Sequence, residues 1–259
     1  AGCGTQTASL AFGGETPTEA STARTESYNG TNWVEVNDLN SPRTFIGGAG
    51  TQTSAIAVGG SPALTNSESW NGYVWTATPA INSGRRAMGV AGSDNTSALA
   101  FGGTTPGGVL ALTESWNGSA WTEVNDLNTA RTSLAGAGIA TAALAFGGTV
   151  PPVIANVESW NGTSWTEVND LNKARESLAA AGTQTAALGF GGEELATRAG
   201  ATESWNGTNW TNENRMSTSV HQFGGSGTAT AALGFGGGGS DSTEEWNGSG
   251  YITRTITTT

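Results

Sequence analysis

The acids and bases of this chain recur at fixed places. Glu26, Glu68, Glu114, Glu158, Glu203 and Glu244 share one position of an internal pattern, and Arg43, Arg85, Arg131 and Arg175 share another. Two carboxylates at a suitable separation can hydrolyse a glycosidic bond. A catalytic pair breaks symmetry, however, and these acids follow it. They read instead as partners in buried Arg–Glu pairs that clamp neighbouring units, with hydrogen bonds satisfying both ions. The sixth unit carries Val220 at the arginine position, so its clamp is expected to be absent. Nucleophilic triads and zinc centres need histidine, or histidine with cysteine, in clusters. This chain has one histidine, His221, and one cysteine, Cys3. The expectation is no catalytic residue, no bound metal and no cofactor. The pairs Asn37-Asp38, Asn125-Asp126 and Asn169-Asp170 carry oxygens of the kind that bind Ca²⁺, but such pairs more often form turns.

These residues are positioned by six copies of one motif. Each copy has a glycine pair after an apolar run: Gly13-Gly14, Gly59-Gly60, Gly102-Gly103, Gly147-Gly148, Gly191-Gly192 and Gly236-Gly237. An aromatic follows (Tyr28, Trp70, Trp116, Trp160, Trp205, Trp246), and a second lies five residues later (Trp33, Trp75, Trp121, Trp165, Trp210, Tyr251). The spacing between copies is 41 to 46 residues. Units of that length cannot bury their apolar faces alone and must pack on one another.

In the fourth copy the run Ala142–Phe146 puts Leu144 and Phe146 on one face and Ala143 and Ala145 on the other. Both faces are apolar, so the strand is expected to be buried on both sides. Strands then follow at 157–160 and 165–168, joined at Asn161-Gly162, a hairpin signal in which both residues tolerate positive φ. Trp160 and Trp165 flank that turn symmetrically and are expected to pair across it. Four antiparallel strands, a to d, make one propeller blade. The fold class expected is therefore all-β, a six-bladed β-propeller. It forms a single domain over 1–259, with blades at approximately 1–40, 41–82, 83–128, 129–172, 173–216 and 217–259.

Arg131, Gly147-Gly148, Trp160 and Trp165 together resemble the kelch repeat, in which an arginine precedes a strand ending in Gly-Gly and two aromatics follow. The resemblance covers essentially the whole chain. Tryptophan stands where tyrosine is usual on strand c, and the turn is a fixed W-N-G-[TS]-x-W. This is most similar to the regular kelch-like repeats of bacteriophage and marine microbial proteins. It implies a non-enzymatic binding or adhesion module that recognises a host or a surface, as part of a phage or an exported protein. The alternative is a structural or decoration domain of a virion or extracellular assembly.

The net charge of −11 disfavours nucleic acid and anionic membrane surfaces, both of which attract clustered Lys and Arg. No apolar run reaches membrane-spanning length. The expected location is extracellular or on a virion. The expected partners are a cell-surface glycan or protein, or other subunits of an assembly.

From the first glycine of each pair to the strand-c aromatic, the spacing varies from 10 to 15 residues, whereas the c–d turn is constant. Variable loops on a rigid scaffold are where recognition usually resides. The candidate ligand-binding residues are thus on the b–c loops: Glu15, Arg24, Thr104, Thr149, Glu193 and Arg198. Aligning Gly4 with Gly138 makes Ala1 the equivalent of Ala135. The first blade is then expected to have a shortened inner strand, with the chain either a domain excised from a longer protein or its short strand completed by neighbouring residues.

Overall fold

A computed structural model describes residues 1–16, 18, 20–195, 197–238 and 241–254. Pro17, Glu19 and Ala196, within the candidate loops, and the C-terminal Thr259 lie outside the described residues. The described chain is all-β, without a helix. It forms six four-stranded antiparallel sheets, each from one contiguous segment in the order a-b-c-d. The inner strands of successive sheets pack on one another around the axis, and the strand Gly2–Thr5 packs against both Gly47–Thr51 and Gly224–Thr228 to close the ring. This is a six-bladed β-propeller.

The fourth blade shows why the sequence folds this way. Its strands are Ala135–Ile139, Ala142–Phe146, Val157–Trp160 and Trp165–Val168. Leu144 and Phe146 face the next blade, where they meet Ala187, Trp205 and Trp210. Ala143 and Ala145 face the previous blade and lie against Leu99 and Phe101. Large side chains on one face and small ones on the other let flat sheets nest without voids.

Trp160 and Trp165 are directly opposite in register, with ring centroids 5.3 Å apart. Such a pair contributes beyond its buried area. The loop between them departs from the expected two-residue turn with both residues at positive φ. Only Gly162 is left-handed, at φ 93°. Asn161 acts through its side chain, its Oδ1 accepting the N–H groups of Thr163 and Ser164 at 2.9 Å each. The repeated Asn-Gly is therefore a side-chain-capped four-residue loop.

The arginine clamps are present in four blades. Arg43–Glu68, Arg85–Glu114, Arg131–Glu158 and Arg175–Glu203 are ion pairs at 2.5 to 3.2 Å, each arginine fully buried. The arginine backbone belongs to the previous blade's edge: the Arg131 N–H donates to Leu110 C=O, and its C=O accepts from Gly103 N–H. Its side chain reaches forward to Glu158, Asn156 C=O and Ala145 C=O. Each arginine thereby joins two blades. In the sixth blade Val220 keeps the backbone bond from Gly192 N–H. There Glu244 accepts the N–H groups of Ser217 and Thr218 instead.

The first blade corrects one expectation. Its sheet is complete, with four strands between Gly2 and Val36, and its inner strand is as long as the fifth blade's Ala179–Gly182.

Candidate functional site

The d–a connections and the b–c loops lie on one face of the ring. The d–a sequence V-N-D-L-N is consumed by structure. Asp38 Oδ1 accepts Thr25 N–H at 3.0 Å and Asp126 Oδ1 accepts Thr113 N–H at 2.9 Å, tying each loop to the start of strand c. Asn37 Nδ2 donates to Tyr73 C=O and Asn125 Nδ2 to Thr163 C=O, in the next blade. Leu39, Leu127 and Leu171 are buried, and Asn40 Nδ2 donates to Glu68. Among the described residues, no group of three or more His, Cys, Asp or Glu is placed to hold a metal ion.

Nearer the axis, the residue two beyond each arginine position is left-handed: Phe45, Ala87, Ser133, Ser177 and Gln222, at φ 51° to 55°. For residues with a Cβ this conformation costs of order 1 kcal/mol each. The strain is compensated by a chain of hydrogen bonds around the axis. Ala87 N–H donates to Phe45 C=O, Ser133 to Ala87, Ser177 to Ser133 and Gln222 to Ser177, at 2.8 to 3.0 Å. Sequence reading missed this ring because its members share no side-chain type; only their position in the repeat could have marked them.

A cavity of about 960 Å³ opens at this level and runs from the axis to the junction between the sixth and first blades. It brings together three of the candidate residues, Glu15, Arg24 and Arg198, with His221 and Asp241. The other three stand apart from it. Thr104, Thr149 and Glu193 each follow a glycine pair, and each forms a backbone bridge to the residue after a clamp position: Arg86, Thr132 and Glu176.

The b–c loops differ in construction. In the first blade, strands Ala8–Glu15 and Ser21–Tyr28 simply continue as a long hairpin, with Glu15 opposite Ser21. The third blade adds a small hairpin, Thr104–Thr105 with Gly108–Val109, and the fifth adds Glu193–Glu194 with Thr197–Arg198. At the fifth blade's tip Leu195 is 80% exposed.

Electrostatics at the cavity are local. His221 Nε2 lies 4.0 Å from Glu193 Oε2, and its Nδ1 is buried without a described partner. Burial first, then nearby Arg198, holds the imidazole below its ordinary pKa, against the pull of Glu193. Burial also pushes the Glu26 carboxyl up, reinforced by Glu35 and opposed by Arg24.

Neither a protein-family model nor a curated protein matches the chain.

Proposed function

We propose that this propeller is a kelch-like, non-enzymatic binding module of a phage or exported protein, which recognises a surface glycan or protein through its b–c face. One observation carries this reading: blades alike in their sheets and c–d turns differ in their b–c loops, and the loops of the first, fifth and sixth blades bring Glu15, Arg198 and Asp241 to one cavity beside Arg24 and His221. Acids that could serve catalysis, Glu68, Glu114, Glu158 and Glu203, are instead held by arginines. Leu195 adds an exposed apolar contact on the same face.

The test is an array of glycans and of purified cell-surface proteins probed with residues 1–259. Binding to one ligand class is expected, abolished by combining Arg24→Ala, Arg198→Ala and Leu195→Asp. Tyr73→Ala, in a c–d turn outside the cavity lining, should leave it intact. Binding that survives the triple substitution overturns the assignment of the face. No binding at all favours the second reading, a decoration domain of a virion or extracellular assembly, for which the exposed Tyr73 and Val74 of the second blade's c–d turn offer a contact.

A further inference from the structure

The second blade departs from the repeat along its outer edge. The fourth blade has Thr163-Ser164 in its c–d turn, Glu167 in strand d and Asn169-Asp170 after it. The second blade has Tyr73-Val74, Ala77 and Pro79-Ala80 at those places. All five replacements are exposed, Tyr73 at 79%. They lie on one strand, Trp75–Thr78, or within two residues of its ends. The exchanges give up bonds that hold other blades. Pro79 and Ala80 stand in for an Asn that donates to the next c–d turn and an Asp that accepts from strand c, as Asn125 and Asp126 do in the third blade. Ser67 Oγ, at the start of the second blade's strand c, is buried without a described partner. Tyr73 is nonetheless fixed. Its N–H donates to Asn71 Oδ1 at 3.0 Å, and its C=O accepts from Asn37 Nδ2 of the first blade at 2.7 Å. An aromatic side chain on a fixed backbone loses little freedom when a partner buries it.

Charge follows the same division. Residues 41–82 contain two charged side chains, Arg43 and Glu68, and these pair with each other inside the fold. The second blade is therefore neutral, and the other five blades carry the whole net charge of −11. Acids on an outer strand keep like sheets apart, because two copies would bring the same charge to face itself. Glu35, Glu123 and Glu167, all exposed on strands d, guard three edges in this way. The second blade's edge has no such guard.

We infer that the outer edge of the second blade is an interface with a second copy of this chain, the two copies related by a two-fold axis. Charge selects the occupant. A basic partner is drawn to the acidic blades, whereas copies of so acidic a chain repel one another everywhere except at a neutral edge. The surface that matches a neutral, apolar edge is the same edge of the other copy. Such a contact is isologous and closes at the dimer. One strand and its two ends make a small interface, so the association is weak. It holds whatever ligand the b–c face takes.

The test is sedimentation equilibrium of residues 1–259 from about 1 μM to about 1 mM. A reversible monomer–dimer equilibrium is expected. It should tighten as sodium chloride is added, because salt screens repulsion between the acidic blades and leaves an uncharged contact alone. Ala77→Glu and Tyr73→Thr install residues that other blades carry at these positions. Each should weaken dimerisation by about tenfold or more while keeping a cooperative unfolding transition. A monomer throughout the range, association that grows beyond the dimer, a dimer weakened by salt, or equal dimerisation by the two variants overturns the inference.

Discussion

Trp33 Nε1 donates to the Thr243 hydroxyl at 3.2 Å across the junction of the first and sixth blades. Trp75 with Thr25, at 3.0 Å, and Trp165 with Thr113, at 3.1 Å, repeat the relationship between sequential blades. The ring thus closes with the same side-chain bond that joins the first blade to the second and the third to the fourth, without exchanging a strand. Gln6 Nε2 adds a bond to Trp246 C=O at 2.7 Å, and the Ser9 and Ser226 hydroxyls meet. Thr243→Val keeps the shape but strands a buried indole N–H. It should cost about 1–3 kcal/mol in chemical denaturation.

The converse substitution should stabilise. Trp210 Nε1 is buried without a partner, and Val157 occupies the place of the acceptor threonine. Val157→Thr supplies a hydroxyl of nearly the same volume. The expected gain is about 0.5–1.5 kcal/mol, read as a higher denaturant midpoint at unchanged slope.

Trp165 is buried between its hairpin partner Trp160 and Phe101 of the previous blade, with centroids 5.3 and 4.9 Å away. Trp165→Ala should cost roughly 3–5 kcal/mol. An unchanged unfolding midpoint would show that the indole packing carries no stability.

Arg131 and Glu158 test the clamp. Arg131→Met leaves a carboxylate almost wholly enclosed, with only Asn128 and Thr129 N–H groups and the Asn128 side chain to hold it. The expected loss is about 3–5 kcal/mol. A much smaller loss would mean that those amide donors alone satisfy Glu158.

Much of this architecture was legible because identical physical demands recur. Gly147-Gly148, Trp160 and Trp165 each solve a problem every blade poses, so their repetition marks strands, turns and blade count together. The Arg131–Glu158 pair was legible for the same reason: opposite charges that recur together at fixed phase mark a structural partnership. The ring of left-handed residues was not, since backbone geometry selects Phe45, Ser133 and Gln222 alike whatever the side chain. Among the candidate ligand residues, position in the repeat could not separate Arg24 and Arg198, which line the cavity, from Thr104, Thr149 and Glu193, whose backbones bridge to neighbouring segments. That difference depends on three-dimensional loop construction.

His221 is the single histidine, so its titration can be followed without assignment. Its folded pKa is held below the ordinary 6.5, chiefly by burial. Below that value the unfolded chain takes up the proton first and binds more protons than the folded one. Stability should therefore fall as pH drops through 6.5 and level off once the folded imidazole also protonates. His221→Gln should remove this component from the difference in stability between pH 7 and pH 5. A histidine NMR titration with its midpoint above 6.5 would contradict it.

The taper of the blade decides how many copies make a circle. At the axis the inner strands of neighbouring blades leave no room for a methyl group: a Cβ added at Gly47 would lie 2.3 Å from the Val90 side chain, and one at Gly136 would lie 2.9 Å from the Val90 carbonyl oxygen. Toward the rim each of these blades fills the gap to its neighbour with a pair of large aromatic rings, such as Trp116 and Trp121, tilted side by side with centroids 5.5 Å apart. Small residues inside and large ones outside make each blade a wedge. Enlarging the inner residues would flatten the wedge and call for more copies to close, while trimming the rim would do the same from outside. Blade number is in this sense a volume ratio between alanine or glycine and tryptophan, repeated until the circle is full.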